Sequence, residues 1–515
     1  MNKIVLKQTC IEINNYELGD SYKLENTFSV YDPIYHAKFS KCIEYIEEEK
    51  KLIIPRGIDI YWLENMFMAD AVVDRKYDEF DSIGNVMIKT LPRDDVQKEA
   101  LRFMLGMGEY ENNKNKSMLS VNLNTGKGKT YVSVATIAYS AVKSIIIASS
   151  VNWLEQWKTR ITEYTDIKPN EICFISGSGS INRILQRDNS KYKIYLVTHS
   201  TLKNYGTDAG WKKVTELFKA LRVGIKIYDE CHLALDTMSK IDFYTNTYKT
   251  YYVTATPARS NEGENIIFGY YFKNVPAIDL FDEVNDPRTR YIAFKYNSHP
   301  TAQEISSCKN SYGLNRTKYT DYIVTNENFE YLMHIIIDRI KKTVGKVLIY
   351  IGTNNAIDIV KRWIENTYPE LAHQIGVFTS VITTNKDEQL DKKIILSTTK
   401  SCGAAMDIKG LKMTIVLAEP FKSEVLARQT LGRTRDRNTI YLDVVDEGFM
   451  YTKRYYEQKK PIFSKYATEC TDIKISDDEI REKSKELYDK RNSMIFPIRF
   501  EDHDFLIKPI IFDEP

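Results

Sequence analysis

The chain has 515 residues, of which 43% are hydrophobic and 28% are charged. These fractions are ordinary for a globular protein, so they exclude disorder, collagen and a coiled coil as descriptions of the whole chain. Because the net charge is only +2, any polyanionic partner must be held by local patches. No apolar run approaches the ~20 residues that cross a bilayer, and Met1 begins no signal-peptide core, so we expect a cytoplasmic protein without a membrane partner.

The first 90 residues differ in pattern from the rest of the chain. They contain one short apolar run, Lys51–Pro55, and one amphipathic helical segment from Ile60 to Met68. At about 100–200 residues per domain, the whole length corresponds to three or four domains. We therefore predict a small N-terminal α+β module over residues 1–90.

From residue 91 onward, short apolar runs alternate with helical segments, as do the strands and crossover helices of parallel sheets. The runs are continuous and rich in β-branched residues, which is typical of strands buried on both faces. They lie at 118–121, 144–148, 193–197, 224–228 and 251–254, and then at 346–351, 375–378, 393–397, 413–417 and 439–445. The pattern predicts an α/β protein with two parallel-sheet domains in tandem, at 91–275 and 276–455. A polar connection at 276–345 leads into the second sheet, and a short helical C-terminal extension covers 456–515.

A glycine-rich turn at residues 124–130 is the sharpest local signal. It follows an apolar strand and precedes a helical segment, Tyr131 to Val142, so its backbone N–H groups and the helix dipole favour a bound phosphate. Lys129 would reach the β- and γ-phosphates, and the Thr130 hydroxyl would ligate Mg²⁺. Leu123 replaces the first glycine of the G-x-x-x-x-G-K-[ST] pattern, so a plain Gly-Lys turn stays open as an alternative.

Two adjacent acids, Asp229 and Glu230, end a β-rich run that begins at Ile225. Carboxylates at the tip of a strand can divide the work, with Asp229 orienting the Mg²⁺ shell and Glu230 polarising an attacking water. A solvated Asp-Glu pair is the alternative. The glycine turn lies 100 residues earlier, the distance that several βα units would fill, so the two signals support each other.

Two further segments carry candidate groups. The hydroxyls of Thr254 and Thr256 close the next strand and could report the state of a bound nucleotide. A late segment from Gln429 to Arg437 holds clustered guanidinium groups, which can neutralise charge on a transferring phosphoryl group. A basic surface run is the alternative for that segment.

Four segments within roughly residues 91–450 resemble motifs of the superfamily 2 helicases and follow in the same order. They are Gly128-Lys129-Thr130, Asp229-Glu230-Cys231-His232, Thr254-Ala255-Thr256 and Gln429-x-x-Gly432-Arg433. The resemblance implies two RecA-like domains that bind ATP and Mg²⁺ in the cleft between them, with nucleic acid across the opposite face.

Site residues follow from the same resemblance. It implies ATP contacts by Arg93, Gln97, Thr125, Gly126, Lys127, Gly128, Lys129, Thr130 and Asp407, with Gln97 reading the adenine. It implies metal ligation by Thr130 and Asp229, catalysis by Glu230, Arg433 and Arg435, and coupling through Thr254, Thr256 and Gln429. It implies nucleic-acid contacts, sequence-independent and mostly to phosphates, by Ser150, Asn152, Thr198, His199, Ser200, Gly352, Thr353, Thr398 and Thr399.

The spacing of the arginines departs from the family pattern. The second arginine would fall at position 436, which is aspartate, so Arg435 or Arg437 must take its place. We favour Arg435.

Within the superfamily, the N-terminal module and the Asp-Glu-Cys-His box resemble the phage UvsW group, which is related to XPB- and RecG-type DNA translocases. That resemblance implies an ATP-dependent DNA helicase or translocase that acts on branched or duplex DNA in branch migration, recombination or fork remodelling, in the host cytoplasm if phage-encoded. An RNA helicase is one alternative, although that branch typically carries Asp-Glu-Ala-Asp. The ATPase motor subunit of a larger restriction or transcription complex is another.

We expect the N-terminal module to select the substrate. Positive charge for this role would come from Lys3, Lys7, Lys38, Lys41, Lys50, Lys51 and Arg56. Ile60, Leu63 and Phe67 fall at helical spacing and would dock the module onto the motor. A folding cap that only covers the first sheet is the alternative.

Overall fold

The computed structural model describes residues 3–32, 37–74, 76–123, 126–255, 262–280, 289–310, 313–379, 385–402, 408–431 and 438–493. The chain divides into two compact units, Met1–Asp282 and Glu283–Pro515. Within the described ranges, no helix has the length and apolar character needed to cross a bilayer. Elements are numbered below in chain order.

The N-terminal module is built on a five-stranded sheet in the order β5-β6-β2-β1-β7, antiparallel except for the parallel pair β1 and β7. Its elements are β1 (Lys3–Leu6), β2 (Cys10–Asn14), α1 (Tyr22–Thr27), β3 (Ser29–Asp32), β4 (Ala37–Lys41), β5 (Glu44–Ile46), β6 (Lys51–Pro55), α2 (Ile60–Phe67) and β7 (Ala71–Val73). Strands β3 and β4 pair with each other. Asp59 caps the start of helix α2, because its side chain accepts from the Trp62 N–H. The predicted strand and helix of this module are confirmed.

The module shares its hydrophobic core with the rest of the first unit. Leu63 of α2 is fully buried in one cluster with Tyr271 and Ile267, and Ile60 and Phe67 pack against that cluster. The backbones also approach closely, since a Cβ at Gly57 would overlap the Tyr271 carbonyl oxygen. The hydrophobic core therefore joins the module to the rest of the first unit, and docking through the apolar face of α2 stays a prediction.

The remainder of the first unit is a seven-stranded parallel sheet in the order β10-β11-β9-β12-β13-β8-β14. Its strands are β8 (Met118–Leu123), β9 (Ser144–Ala148), β10 (Ile172–Ile175), β11 (Ile194–Thr198), β12 (Ile225–Asp229), β13 (Lys249–Thr254) and β14 (Ala277–Leu280). Its helices are α3 (Asp95–Leu105), α4 (Lys129–Ser140), α5 (Val151–Tyr164), α6 (Gly177–Leu185), α7 (His199–Ala209), α8 (Trp211–Leu221), α9 (Leu235–Tyr244) and α10 (Glu262–Phe272).

A buried ion pair lies in the core of the first unit. Lys226 Nζ and Asp242 Oδ1 are 2.6 Å apart, and both side chains are 0% exposed. The hydroxyls of Tyr228 and Tyr252 donate to the Asp242 carboxylate at 2.8 and 2.5 Å, and the Tyr271 hydroxyl donates to it as well. One carboxylate thus joins strands β12 and β13 to helices α9 and α10.

The second unit also holds a seven-stranded parallel sheet, in the order β19-β20-β18-β21-β22-β15-β23. Its strands are β15 (Thr289–Tyr296), β18 (Lys346–Ile351), β19 (Ile375–Phe378), β20 (Ile394–Ser397), β21 (Leu411–Ala418), β22 (Thr439–Asp446) and β23 (Glu469–Lys474), with a separate pair β16 (Lys309–Asn310) and β17 (Gly313–Leu314). Its helices are α11 (Ala302–Ser307), α12 (Arg316–Ile323), α13 (Glu327–Lys342), α14 (Asn354–Thr367), α15 (Lys386–Asp391), α16 (Thr399–Cys402), α17 (Glu424–Leu431), α18 (Met450–Tyr466) and α19 (Asp477–Ser493). Short 3-10 turns lie at Glu47–Glu49, Gly108–Asn115, Pro169–Glu171, Cys231–Leu233 and Pro369–Gln374.

The predicted fold class is confirmed, since all ten predicted strands are present in two parallel sheets. Four further strands, β10, β14, β15 and β23, lie at or beside sheet edges. The stretch at 276–345 is therefore more than a connection, because β14 joins the first sheet and β15 joins the second. The C-terminal segment likewise contributes β23 to the second sheet.

Candidate functional site

The candidate ATP residues lie at the carboxyl edge of the first sheet. The glycine turn follows β8, Asp229 ends β12 and Thr254 ends β13. Strand β13 pairs with both β12 and β8, all in parallel. Because parallel strands end at the same edge, the fold brings these groups together, as expected for ligand sites in parallel sheets.

The glycine turn adopts a backbone that only glycine tolerates easily. Gly126 and Gly128 have φ of +85° and +92°, in the left-handed region. Helix α4 begins directly afterwards at Lys129, with Gly128 as its cap and no side chain closing the helix end. A Cβ at Gly128 would overlap the amide of Gln97. The left-handed backbone at the two glycines and the start of α4 without a side-chain cap therefore suit a bound phosphate.

Gln97 and Arg93 brace this turn from α3 and the segment before it. Gln97 is 4% exposed, and its Nε2 donates to the Lys127 carbonyl at 3.2 Å. Its Oε1 accepts from the Arg93 backbone N–H at 2.8 Å. An Arg93 guanidinium nitrogen lies 3.3 Å from the Gly126 carbonyl. Both predicted residues thus lie at the turn, and the adenine-reading role of Gln97 stays a prediction.

Lys129 and Glu230 form an ion pair beside the turn. Lys129 Nζ lies 3.1 Å from Glu230 Oε1, and the two side chains are 11% and 3% exposed. Burial opposes ionisation of Glu230, but the charges of Lys129 and His232 lower its pKa to about 2. Burial and the Glu230 charge raise the pKa of Asp229 to about 6. Glu230 also has φ of +52°, an uncommon backbone for a non-glycine residue that is often seen at functional sites.

Asp229 is oriented by Trp157, a partner that sequence reasoning did not assign. The indole Nε1 donates to Asp229 Oδ2 at 2.8 Å. Trp157 lies on α5, which follows β9, the strand adjacent to β12. The two residues are 72 positions apart, and no sequence signal links them.

Thr254 and Ala255 connect the end of β13 to Glu230. The Thr254 hydroxyl donates to Glu230 Oε2 at 3.2 Å, and the Ala255 N–H donates to the same oxygen at 3.1 Å. His232 Nδ1 lies 2.7 Å from Thr254 Oγ1. The predicted coupling residue Thr254 therefore contacts the predicted base directly, and His232 is a further member of the group.

The predicted nucleic-acid residues of the first unit follow two adjacent strands, β9 and β11. Ser150 is half-buried at the start of α5, and the Thr198 hydroxyl accepts from the Thr201 N–H at the start of α7. Ser200 is exposed. His199 is 5% exposed and its ring stacks on that of Tyr228 with 5.8 Å between centroids, and its contact with nucleic acid stays a prediction.

Asn152 lies half-buried in the first turn of α5, next to Ser150.

The predicted nucleic-acid residues of the second unit also follow neighbouring strands. Gly352 and Thr353 follow β18, and Thr398 and Thr399 follow β20. The Thr353 hydroxyl caps α14 by accepting from the Ala356 N–H at 3.1 Å. The structure brings these four residues to one sheet edge.

Several predicted residues lie outside the described ranges: Thr125, Thr256, Asp407, Arg433, Arg435 and the alternative Arg437. Gln429 lies on α17. Among the described residues, no group of three or more His, Cys, Asp or Glu could hold a metal ion.

Three of the seven cations predicted for the N-terminal module form ion pairs within it. Lys7 lies 2.6 Å from Asp74, and Lys50 lies 2.7 Å from Glu17. Lys51 contacts Glu49 and Glu12 at 2.6 and 3.7 Å. The Arg56 side chain donates to the Lys7 carbonyl. These cations therefore offer less charge to a polyanion than the sequence indicates.

Residues 90–259 match the family model described as type III restriction enzyme, res subunit. The DNA 3'-5' helicase XPB of Mycobacterium tuberculosis is 28% identical over 148 residues, which are 29% of this chain and 25% of that protein. The chain thus matches about a quarter of the length of this curated relative.

Two solved structures are similar in fold. Dbp5 of S. cerevisiae, bound to RNA and ADP BeF3, has a TM-score of 0.50 at 16% identity, covering 76% of this chain and 93% of that one. The DEAD-box helicase Mss116, bound to ssRNA and UDP-BeF, has a TM-score of 0.51 at 15% identity, covering 76% and 77%. At these identities the likeness shows the fold alone. Together with the ordered motifs, the two parallel sheets and the matched family model, these findings support a superfamily 2 helicase.

Proposed function

We propose that the chain is an ATP-dependent nucleic-acid helicase or translocase whose substrate is branched or duplex DNA. The observation that carries the ATP-hydrolysing part of this proposal is the Lys129–Glu230 ion pair beside the glycine turn, with Asp229 held next to it by Trp157. A phosphate cradle, a cation and two carboxylates with different pKa values at one sheet edge suit hydrolysis of a nucleoside triphosphate.

Each group has a separate task in this proposal. The N–H groups of the turn and the Lys129 ammonium hold the phosphates and balance their charge. Glu230, ionised at neutral pH, accepts a hydrogen bond from the attacking water and orients it toward the γ-phosphorus. The bond from Trp157 fixes the Asp229 carboxylate.

The residues at this edge also fit Mg²⁺. A threonine hydroxyl, Thr130, and one carboxylate, Asp229, are the hard oxygen donors that Mg²⁺ takes together with phosphate oxygens and water. Because phosphate oxygens of the nucleotide and water would supply the other ligands of the ion, the protein need not provide a cluster of three. When bound, the ion would neutralise charge that develops on the phosphate oxygens.

Coupling between hydrolysis and strand movement would begin at Glu230. Its carboxylate is joined to Thr254 and to the Ala255 backbone, so a change at the γ-phosphate can reach the end of β13. Thr256 and Gln429 would continue this path. We propose Arg433 and Arg435 as the cations that act on charge in the transition state.

DNA is the proposed strand because of the names of the curated relative and of the matched family, whereas the predicted phosphate contacts would suit DNA and RNA alike. The curated relative is named a DNA helicase, and the matched family is one of restriction enzymes. The predicted contacts in both units are mostly hydroxyls and backbone groups at strand ends, which suit phosphates and make binding indifferent to base sequence. Substrate choice by the N-terminal module stays a prediction that its paired cations do not strengthen.

The test compares ATP turnover of wild type, Lys129→Ala and Glu230→Gln with single-stranded, duplex and forked DNA and with RNA. We expect stimulation by DNA in wild type and almost none in either variant, while Glu230→Gln still binds ATP. Glu163→Gln, on the exposed side of α5, is the matched control and should behave as wild type. Near-normal turnover by Glu230→Gln would contradict the assignment of the base, and stimulation by RNA alone would contradict DNA as the substrate.

A further inference from the structure

A cavity of about 350 Å³ lies at the carboxyl edge of the second sheet. Its described lining includes Arg316, Thr353, Asn354, Thr398, Ser401 and Glu419. The volume is at the lower end of the range of small-ligand sites, ~300–1,000 Å³. The lining is polar and carries no aromatic ring among the described residues, so it does not suit a stacked base.

Arg316 is the cation of this cavity, and the sequence motifs do not include it. It is the first residue of α12, it is exposed, and it makes no ion pair with any residue in the described ranges. A guanidinium in this state is available for an anion and can bind phosphate oxygens through two N–H groups.

Helix α12 holds Arg316 in place over the cavity. The Thr320 hydroxyl donates to the Ala418 carbonyl at 2.9 Å, and the Thr353 hydroxyl donates to Asp321 Oδ1 at 2.7 Å. A Cβ at Gly352 would lie 2.5 Å from Thr320 Oγ1. The helix is therefore fixed against the loop after β18, which carries two of the predicted strand contacts, and against the end of β21.

Glu419 gives the cavity an opposing charge. It is 8% exposed, and its carboxylate accepts from the backbone N–H of Thr399 at 2.9 Å and from the Thr399 hydroxyl. The positive charge of Arg316 and the negative charge of Glu419 cancel within the described lining. Without Arg316, the described part of the lining would carry one net negative charge and would repel an anion.

We propose that Arg316 binds a backbone phosphate of the nucleic-acid strand in this cavity, beside the hydroxyls of Thr353 and Thr398. The inference rests on the proposed function and adds a residue to it. DNA and RNA share the phosphodiester group, so the contact should not distinguish the two strands.

Arg316→Ala is compared with Lys318→Ala, which removes the same charge from the same helix outside the cavity lining. Affinity for a labelled single strand of DNA and of RNA is measured by fluorescence anisotropy over a series of salt concentrations. We expect Arg316→Ala to bind about tenfold more weakly, with the slope of log K against log salt reduced by about 0.7. Lys318→Ala should stay close to wild type, and Arg316→Lys should recover most of the slope.

The outcomes separate this inference from the proposed function. Failure of wild type to bind either strand would refute both. Normal wild-type binding with equal losses in Arg316→Ala and Lys318→Ala would refute only the role of Arg316. A loss confined to RNA, or weaker ATP binding by Arg316→Ala without nucleic acid, would also overturn it, since the cavity would then recognise a ribose hydroxyl or the nucleotide.

Discussion

Removing the negative charge of Asp242 should destabilise the first unit strongly. Asp242→Asn would leave the Lys226 ammonium at 0% exposure without its counter-charge. It would also remove the carboxylate that accepts from the hydroxyls of Tyr228 and Tyr252. Breaking one partner of a buried ion pair typically costs about 3–5 kcal/mol. Because domains are stable by only about 5–15 kcal/mol, we expect the variant to lose at least a fifth of the stability of this unit.

Tryptophan fluorescence during denaturant unfolding can measure this loss. Of the five tryptophans, only Trp363 lies in the second unit, so a Trp363→Phe background confines the signal to residues 1–282. Asp236→Asn is the matched control, because this acid lies on the same helix but is 44% exposed. Its midpoint should match that of the background.

The double variant Lys226→Met/Asp242→Asn should recover part of the loss, since it removes the unpaired ammonium while the amide oxygen at position 242 can still accept from a tyrosine hydroxyl. Equal midpoints for Asp242→Asn and Asp236→Asn would refute the reasoning. So would a double variant that is no more stable than Asp242→Asn.

Gly57→Ala should lower the stability of the first unit by about 1–3 kcal/mol, because its Cβ overlaps the Tyr271 carbonyl. Gly179→Ala, which has open space on α6, should be neutral or slightly stabilising, and equal melting temperatures for the two variants would contradict the close docking of the module. Gly128→Ala should weaken ATP binding about tenfold in calorimetry, since φ is +92° there and the left-handed backbone costs about 1–2 kcal/mol for other residues. Unchanged ATP affinity would show that the turn does not hold the phosphates.

The central strands could be predicted from the sequence because burial on both faces demands continuous apolar runs, as in β9 (Ser144–Ala148), all of whose residues are buried. The edge strand β23 could not, because a strand with one partner and one covered face tolerates polar residues, and its sequence is ECTDIK. At the site, local motifs located the glycine turn and Asp229. Contacts between distant segments, such as Trp157 with Asp229 or α12 with Gly352, depend on strand order and leave no local pattern.

The shared core of the N-terminal module has a consequence for synthesis on the ribosome. The module's own strands end at Val73, but Tyr271 and Val275 complete the cluster that contains Leu63. About 200 further residues must be translated before that cluster can close, which takes roughly 10–40 s at about 5–20 residues per second. During this interval the part of the cluster that Tyr271 and Val275 complete stays exposed, so the nascent chain offers hydrophobic surface that a chaperone can bind.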